Sequence, residues 1–293
     1  GWSLYEFRDE YDELGQTAHT KVITDYYADF FSRCIRDNNG TKEILVQKGH
    51  GNTDHKYWGI PEGQPEEKWG QSEYWVSGTG ADIAAEYAAA LALSYLNFYD
   101  PNKPADDAEN VKYKRYLDKA KELYAYAEAN QNCFNEVGVN KDETNPDGGF
   151  YISNDYKDDM AWASAWISLA STKANDAESA NTYKSKSQSI LNNGNMYDWG
   201  PYNWNNVKQG AYLVNAAYLD GNWQTVKDFV TGYYNNNTYN NLIEWGAARY
   251  NTGYQTIALV AAKHQQEGAN VGIDVNTAKG WAQGQMDFIL GGN

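Results

Sequence analysis

Residues 82–99, DIAAEYAAALALSYLNFY, carry small or apolar side chains on nearly every side of a predicted helix. A helix that is apolar all round has to be buried on most sides. The alanines leave room for neighbouring helices to approach closely. We therefore expect this segment to be an inner helix of a predominantly helical protein.

The rest of the chain alternates between helices of this kind and amphipathic ones. Residues 111–130 place charged positions between Tyr116, Leu117, Ala120 and Leu123, which is typical of a helix with one solvent-exposed face. Apolar spacing predicts further helices over 17–37, 157–172, 180–191, 207–219, 223–234, 249–266 and 277–290. Only 43–47 suggests a strand. Buried helices alternating with amphipathic ones favour two concentric layers, an all-α toroid forming one domain over residues 1–293.

Three long polar segments, 44–78, 132–155 and 192–206, separate the predicted helices and are rich in Gly, Asn and aromatic residues. Loops of this length are usually functional or disordered. Their Trp and Tyr content disfavours disorder. We therefore expect these segments to form the binding surface.

Composition narrows the classes of partner. The net charge of -15, from 39 acidic and 24 basic residues, disfavours a polyanion such as nucleic acid. No stretch reaches the roughly 20 apolar residues that a membrane helix needs. The chain has 11 Trp and 25 Tyr but only 8 Phe. Trp and Tyr offer a flat apolar face with a polar edge, which suits a pyranose ring, although many of them are expected in the core.

The two cysteines, Cys34 and Cys133, are too few for a disulfide framework. They either pair with each other or are both buried thiols. The absence of a CxxC motif disfavours a structural zinc site.

One loop combines several groups suited to sugar recognition. Residues 49–62 read GHGNTDHKYWGIPE, in which Asp54, His55 and Trp58 supply a charge, a hydrogen-bonding ring and a stacking platform. From these residues alone, a purely structural loop with a buried His is the slightly preferred interpretation.

Four further segments follow this loop in a recognisable order: SGTGADIAAEYAAALA at 77–92, DDMAWASAW at 158–166, WGAARYNT at 245–252 and QMDFILG at 285–291. Together with the loop at 49–62, they resemble the family 9 glycoside hydrolases over essentially the whole chain. Leu4, Tyr5, Glu6, Phe7 and Tyr11 also resemble a helix of that family. Ile60 departs from the pattern, since many members have Arg there.

The resemblance implies an (α/α)6 barrel with an open cleft and inverting hydrolysis of β-1,4-glucosidic bonds, an endoglucanase activity. Inversion uses two carboxyl groups roughly 6.5–9.5 Å apart. The family's catalytic base lies in an Asp-Ala-Gly-Asp motif that this chain lacks, and its acid follows the segment matched by 285–291. We therefore expect the chain to supply the substrate cleft without the catalytic carboxylates. The barrel would be incomplete at both ends, with flanking segments or appended binding domains elsewhere.

The same resemblance assigns substrate contacts. His55 and Trp58 would line one side of the cleft, and Tyr151 would lie near the scissile bond. The remaining contacts would come from a platform and hydrogen-bonding fork made by Trp204, Trp245, Arg249 and Tyr250. Trp199 is the rival of Trp204, whereas core packing is preferred for Trp162 and Trp166.

The resemblance also implies a structural calcium ion. Asn154, Asp155, Asp158 and Asp159 place four oxygen-bearing side chains in six residues, and Asn205 replaces the Asp that many members have as a further ligand. Calcium prefers six to eight oxygen ligands. Alternatively, Asp158 and Asp159 only complement the positive end of a helix.

Three functions remain open from sequence. The first is a β-1,4-glucan hydrolase, secreted because its polymeric substrate does not enter cells. The second is a non-catalytic glucan-binding scaffold derived from the same fold. The third is a structural protein whose aromatic residues serve assembly.

Overall fold

The computed structural model describes residues 1–64, 73–135, 137–141, 143, 146, 149–197, 201–235 and 246–292. The helices in these ranges, in chain order, are α1 Trp2–Glu6, α2 Arg8–Glu13, α3 Thr17–Phe31, α4 Gly51–His55, α5 Ala81–Phe98, α6 Ala108–Ala129, α7 Val137–Asn140, α8 Lys157–Lys173, α9 Ala177–Asn193, α10 Lys208–Tyr218, α11 Trp223–Asn235, α12 Ala247–Gln266 and α13 Val275–Ile289. A short 3-10 turn covers Pro61–Gly63.

Two helical layers build the molecule. The inner helices α5, α8 and α12 bury residues on most of their faces. The outer helix α9 buries only Ser187 and Leu191, and α13 buries one narrow stripe. Each inner helix packs on the outer helix that follows it, as in α5 with α6, α8 with α9 and α12 with α13. Helix α5 also packs on α8, α8 on α10 and α10 on α12.

The outer and inner helices begin differently. Asp107, Asp176 and Asp274 accept hydrogen bonds from the first backbone N–H groups of α6, α9 and α13. Such caps satisfy the amides that have no partner within the helix. The inner helices α5 and α12 instead follow Gly80 and Gly246, both with positive φ and neither with a side-chain cap.

A small antiparallel sheet interrupts the helical pattern, with strands β1 Ile35–Asn38, β2 Thr41–Lys48 and β3 Glu73–Val76 in the order β1-β2-β3. The prediction of a helix over 17–37 is therefore wrong in its last part, because α3 ends at Phe31. Asn39 and Gly40 have φ values of 53° and 85°, as a tight hairpin turn requires. The predicted strand at 43–47 lies inside β2, whereas β3 falls in a segment interpreted as loop.

The apolar stripe predicted for the first long helix is mostly exposed. Val22 and Tyr26 on α3 are 68% and 73% exposed, whereas Ala28 and Cys34 are buried. Helical periodicity therefore predicted the helix but not its buried face, because Ala28, the buried residue of α3, is not part of the predicted stripe.

One continuous hydrophobic cluster fills the space between the layers. Trp162 and Trp166 are buried in it, in edge-to-face contact with Trp2, which agrees with the core role preferred for both. Cys34 and Cys133 are both free thiols. Among the described helices, none combines the length and the apolar character needed to cross a membrane.

Candidate substrate cleft

A cavity of about 470 Å³ opens where α5 and α8 begin. Its walls come from the loops that the sequence singled out and from the first turns of the inner helices. The residues lining it include Gln47, Asp54, His55, Asp82, Glu86, Phe134, Asn140, Phe150, Tyr151, Asp159 and Trp204. Apolar rings, amides and carboxyl groups thus share one concave surface.

Aromatic residues and one arginine form the first wall. The Tyr151 ring meets Trp204 edge to face at 5.4 Å, and Trp204 lies 5.9 Å from the Tyr250 ring. The Arg249 guanidinium lies 4.2 Å from the centre of the Trp204 ring and donates a 2.7 Å hydrogen bond to the Tyr250 hydroxyl. The structure therefore brings together four of the residues predicted to contact substrate.

The position of Trp204 depends on a close approach between its loop and α12. A Cβ atom on Gly253 would clash with the backbone carbonyl oxygen of Tyr202, and one on Gly210 would lie 2.9 Å from the rings of Tyr202 and Trp162. Only glycine therefore allows the loop to pack so tightly against α10 and α12.

The opposite wall is built around His55, at the end of α4. Its ring stacks on Phe150 at 4.1 Å, and its Nδ1 lies 2.7 Å from the Gly51 carbonyl oxygen. Because a carbonyl oxygen only accepts, Nδ1 carries the proton, and in the neutral ring Nε2 is left as an acceptor.

Asn140 holds this second wall in place, although no sequence pattern singled it out. Its buried side-chain oxygen accepts hydrogen bonds from the Gly51 N–H at 3.0 Å and from Gln47 Nε2 at 2.8 Å. Its backbone carbonyl accepts from Asn52 Nδ2. A single amide in the polar segment 132–155 therefore holds the loop that carries His55.

The structure does not bring every predicted contact to the cavity. The Trp58 side chain is fully exposed and is not among the residues of the cavity wall. Trp245 lies outside the described residues, and so does Trp199, the alternative to Trp204. In the described part of the chain, Trp204 is thus the tryptophan that lines the cavity.

Three carboxyl groups lie at the base of the cavity. Burial raises the pKa of Asp82 to about 6, although its Oδ1 accepts a hydrogen bond from the Phe134 N–H. Burial and the nearby Asp158 charge raise the pKa of Glu86 to about 7, and burial raises the pKa of Asp159 well above its usual value. The charge of Glu86 also contributes to raising the pKa of Asp159, because two neighbouring carboxylates disfavour ionising together.

The residues predicted to hold calcium mostly bond to the backbone. Asp155 accepts from the N–H groups of Tyr156, Lys157 and Tyr197. Asn205 Oδ1 accepts from the Asn154 N–H, and Asp158 Oδ2 accepts from the Val207 N–H, at 2.9 and 2.8 Å. These contacts tie together three loops at the beginning of α8.

Few oxygen atoms of these residues are available to bind a calcium ion. Asp158 Oδ1 is buried without a hydrogen-bond partner in the described part of the chain. Asp159 instead lines the cavity beside Glu86, and no three His, Cys, Asp or Glu side chains among the described residues converge as metal ligands would. The residues as placed do not form a calcium shell, so calcium binding remains a prediction from sequence.

A family model for glycosyl hydrolase family 9 matches residues 1–293, the whole chain. The chain belongs to glycosyl hydrolase family 9. The resemblance read from five sequence segments is therefore confirmed.

Individual relatives agree with the family assignment. Endoglucanase A of Bacillus pumilus is 24% identical over 314 residues, covering 100% of this chain and 43% of the relative. The catalytic domain of Clostridium thermocellum CelT matches with a TM-score of 0.75 and 28% identity, over 99% of this chain and 60% of that domain. The cellulase Cel9M of C. cellulolyticum, in complex with cellobiose, matches with a TM-score of 0.68 and 27% identity, over 99% and 62%.

These matches confirm the predicted fold class, a helical (α/α)6 barrel. The chain spans less than half the length of the first curated relatives it matches, between 29% and 43%.

Proposed function

We propose that this family 9 chain provides the substrate cleft of an endoglucanase, which hydrolyses β-1,4-glucosidic bonds in cellulose or a related β-glucan with inversion. The observation that carries the proposal is that Tyr151 and Trp204 line the 470 Å³ cavity, with Arg249 and Tyr250 packed against Trp204.

The chemistry of this wall suits a neutral sugar. Rings such as Trp204 present an apolar face to the C–H groups of a pyranose, and the planar guanidinium of Arg249 offers several donors in a fixed geometry. The Arg249 charge already lies over Trp204 and contacts Tyr250, so the wall does not require an anionic ligand. The related cellulase Cel9M, 27% identical, was solved with cellobiose, which supports a glucan as the ligand.

The proposal assigns no catalytic role to the carboxyl groups at the base of the cavity. Asp159 is buried, and burial raises the pKa of both Glu86 and Asp159. An inverting pair needs roughly 6.5–9.5 Å between its carboxyl groups to admit water. The family pattern places the catalytic base in an Asp-Ala-Gly-Asp motif, which does not occur in these 293 residues.

A second candidate function follows from the same observations. The chain would act as a glucan-binding scaffold that grips a β-1,4-glucan without cutting it. The cleft wall supports this function as well as it supports hydrolysis, because it accounts for binding and not for bond cleavage.

Binding and release of sugar separate the two candidates. Cellotetraose is titrated into the purified protein by calorimetry, and soluble sugar released from carboxymethyl cellulose is then measured. Both functions predict saturable binding that Trp204→Ala weakens, and only the hydrolase predicts release. Absence of binding to any β-1,4-glucan would contradict both functions and leave a purely structural role.

Two further features are proposed from the family resemblance. Secretion is proposed because polymeric glucan lies outside cells. Calcium binding near Asp158 is proposed because that carboxylate has one unsatisfied buried oxygen. A melting temperature that rises with added CaCl₂ and falls with EDTA would support calcium, and an unchanged melting temperature would contradict it.

A further inference from the structure

A second concave surface lies outside the cleft, on the outer wall of the barrel. It has a volume of about 440 Å³ and is bounded by α6, α9 and the beginning of α8. We call it the outer groove and define it by the residues Tyr124, Glu128, Gln131, Tyr156, Met160, Ser185, Lys186, Ser189 and Ile190.

The outer groove begins close to the cleft. Gln131 and Tyr156 lie at one end of the groove, whereas Phe134 and Ser153, three residues away in each case, line the main cavity. Two short loop segments therefore separate the two concave surfaces, and a polymer that leaves the cleft over these loops meets the groove next.

Polar groups along the groove are available to a ligand. Ser185 and Ser189 lie one turn apart on α9, and neither hydroxyl bonds to another described residue. The Gln131 side chain makes one hydrogen bond in the described chain. Its oxygen accepts from the Tyr156 hydroxyl at 3.4 Å. Its two N–H donors remain available.

Apolar groups form the floor of the groove. Met160 and Tyr124 are buried, and the half-buried Tyr156 ring has no ring partner among the described residues. The Tyr156 ring packs partly against the hydrophobic core, and its remaining surface lies in the groove. An aromatic surface beside hydroxyl and amide groups suits a pyranose ring, with its C–H face on the ring and its hydroxyls on the polar groups.

The charges in the groove are already paired. Lys186 contacts Glu128 at 2.6 Å and lies 5.2 Å from the rings of Tyr124 and Tyr183. The neighbouring Lys157 donates to the Asn195 carbonyl oxygen at 2.8 Å. Because each cation has a partner, an anionic ligand would have to compete with these contacts, and a neutral polyhydroxylated ligand would not.

We propose that the outer groove is an auxiliary binding site for a neutral β-glucan chain, separate from the cleft. The choice of glucan as the sugar rests on the proposed function. Such a site would hold a polymer strand near the cleft and raise its effective concentration there.

The experiment compares two groove variants with a cleft variant and a control. Tyr156→Ala removes the aromatic ring, and Ser189→Arg fills the groove from an exposed position. Gln283→Arg adds the same charge to the exposed face of α13 and is the matched control. Circular dichroism melts establish that all four proteins, including Trp204→Ala, are folded, and Ser189→Arg keeps the test valid if Tyr156→Ala is unstable.

Binding is measured by calorimetry with cellotetraose and by electrophoretic retardation in gels containing hydroxyethyl cellulose. We expect two sites per wild-type chain. Both groove variants should lose the weaker site, with at least fivefold less retardation, and keep the stronger one. Gln283→Arg should match the wild type.

The outcomes distinguish this proposal from the proposed function. A single site that Trp204→Ala abolishes, with wild-type retardation of both groove variants, overturns the outer groove alone. A single wild-type site that is unchanged in Trp204→Ala but lost in the groove variants supports the groove and contradicts binding in the cleft. Absence of any binding overturns both.

Discussion

At the scale of single residues, the cleft depends on a few side chains whose geometry is set by neighbours distant in sequence. Trp204 lies between Tyr151 and Tyr250, and Arg249 covers its ring. Sequence reasoning found these residues through a family pattern. It missed Asn140 and Phe150, which hold the wall that carries His55, because an amide and a ring in a polar loop have no distinguishing periodicity.

Replacing Trp204 tests the cleft wall directly. We expect Trp204→Ala to weaken cellotetraose binding about tenfold, which corresponds to about 1.4 kcal/mol, because the sugar loses its apolar platform and Arg249 loses its stacking partner. Trp204→Phe retains a ring and should lose less affinity. Calorimetric titration measures both, and equal affinities for Trp204→Ala and wild type would contradict the assignment of this wall.

Lys157 also acts at the residue scale, as a tie between loops. Its ammonium donates to the Asn195 carbonyl oxygen and lies 3.6 Å from Asp155 Oδ2. We expect Lys157→Met to lower the free energy of unfolding by about 1 kcal/mol, a modest value because the side chain is 36% exposed.

Lys184→Met provides the comparison for Lys157, because its partner Asp220 is 89% exposed and such pairs contribute little. Urea unfolding curves measure both variants. A larger loss from Lys184→Met than from Lys157→Met would show that the tie between loops is unimportant.

At the scale of elements, close packing between inner helices and the cleft loops decides the site. The loop carrying Tyr202 and Trp204 lies directly on α12 at Gly253 and on α10 at Gly210. The inner helices α5 and α12 begin without side-chain caps at this end. At the start of α5, the Ala81 N–H instead donates to the Asn132 carbonyl oxygen at 2.9 Å, so a loop backbone group takes the place of a side-chain cap.

Gly253→Ala tests this packing. The added methyl group would clash with the Tyr202 carbonyl oxygen, so either the loop or α12 must shift. We expect about 1–3 kcal/mol of destabilisation together with weaker cellotetraose binding, because Trp204 moves with the loop.

Gly280→Ala on α13 is the matched control, since nothing lies within 4 Å of its added Cβ. Alanine favours the helix over glycine by roughly 0.5–1 kcal/mol, so this variant should be more stable than wild type. Melting temperatures with binding isotherms measure both variants. A Gly253→Ala protein of wild-type stability would contradict the account of the close approach.

At the scale of the whole molecule, a buried cluster around Glu6 joins distant parts of the chain. Glu6 Oε1 accepts from Trp2 Nε1 at 3.0 Å. Its Oε2 lies 2.9 Å from the Tyr218 hydroxyl and 3.2 Å from His264 Nε2. This carboxylate therefore holds α1 against α10 and α12, across more than 200 residues of sequence.

The Glu6 cluster predicts a pH dependence of stability. Burial by itself raises the pKa of Glu6, but hydrogen bonds from His264, Trp2 and Tyr218 outweigh it, so the pKa is lowered overall. A lowered pKa in the folded state stabilises the protein above the unfolded value of about 4.3. This contribution is lost as the pH falls through the lower, folded pKa.

We therefore expect Glu6→Gln to be less stable than wild type at pH 7 by about 2–3 kcal/mol, and the difference to shrink below about pH 4.3. The exposed Glu13→Gln on α2 is the control and should follow the wild-type curve. Thermal melts between pH 3 and 7 measure all three. A constant difference between Glu6→Gln and wild type across this range would contradict the linkage.

The sequence by itself determined the helical layers and the family. Helical periodicity and the apolar segment at 82–99 depend on neighbours along the chain, so they predicted α5, α8 and α12 within a few residues. Only the tertiary structure decided the pairing of β3 with β2, the full exposure of Trp58 and the position of Asp159 and Glu86 on one cavity. These features depend on contacts between distant segments, and local pattern carries no information about which segments meet.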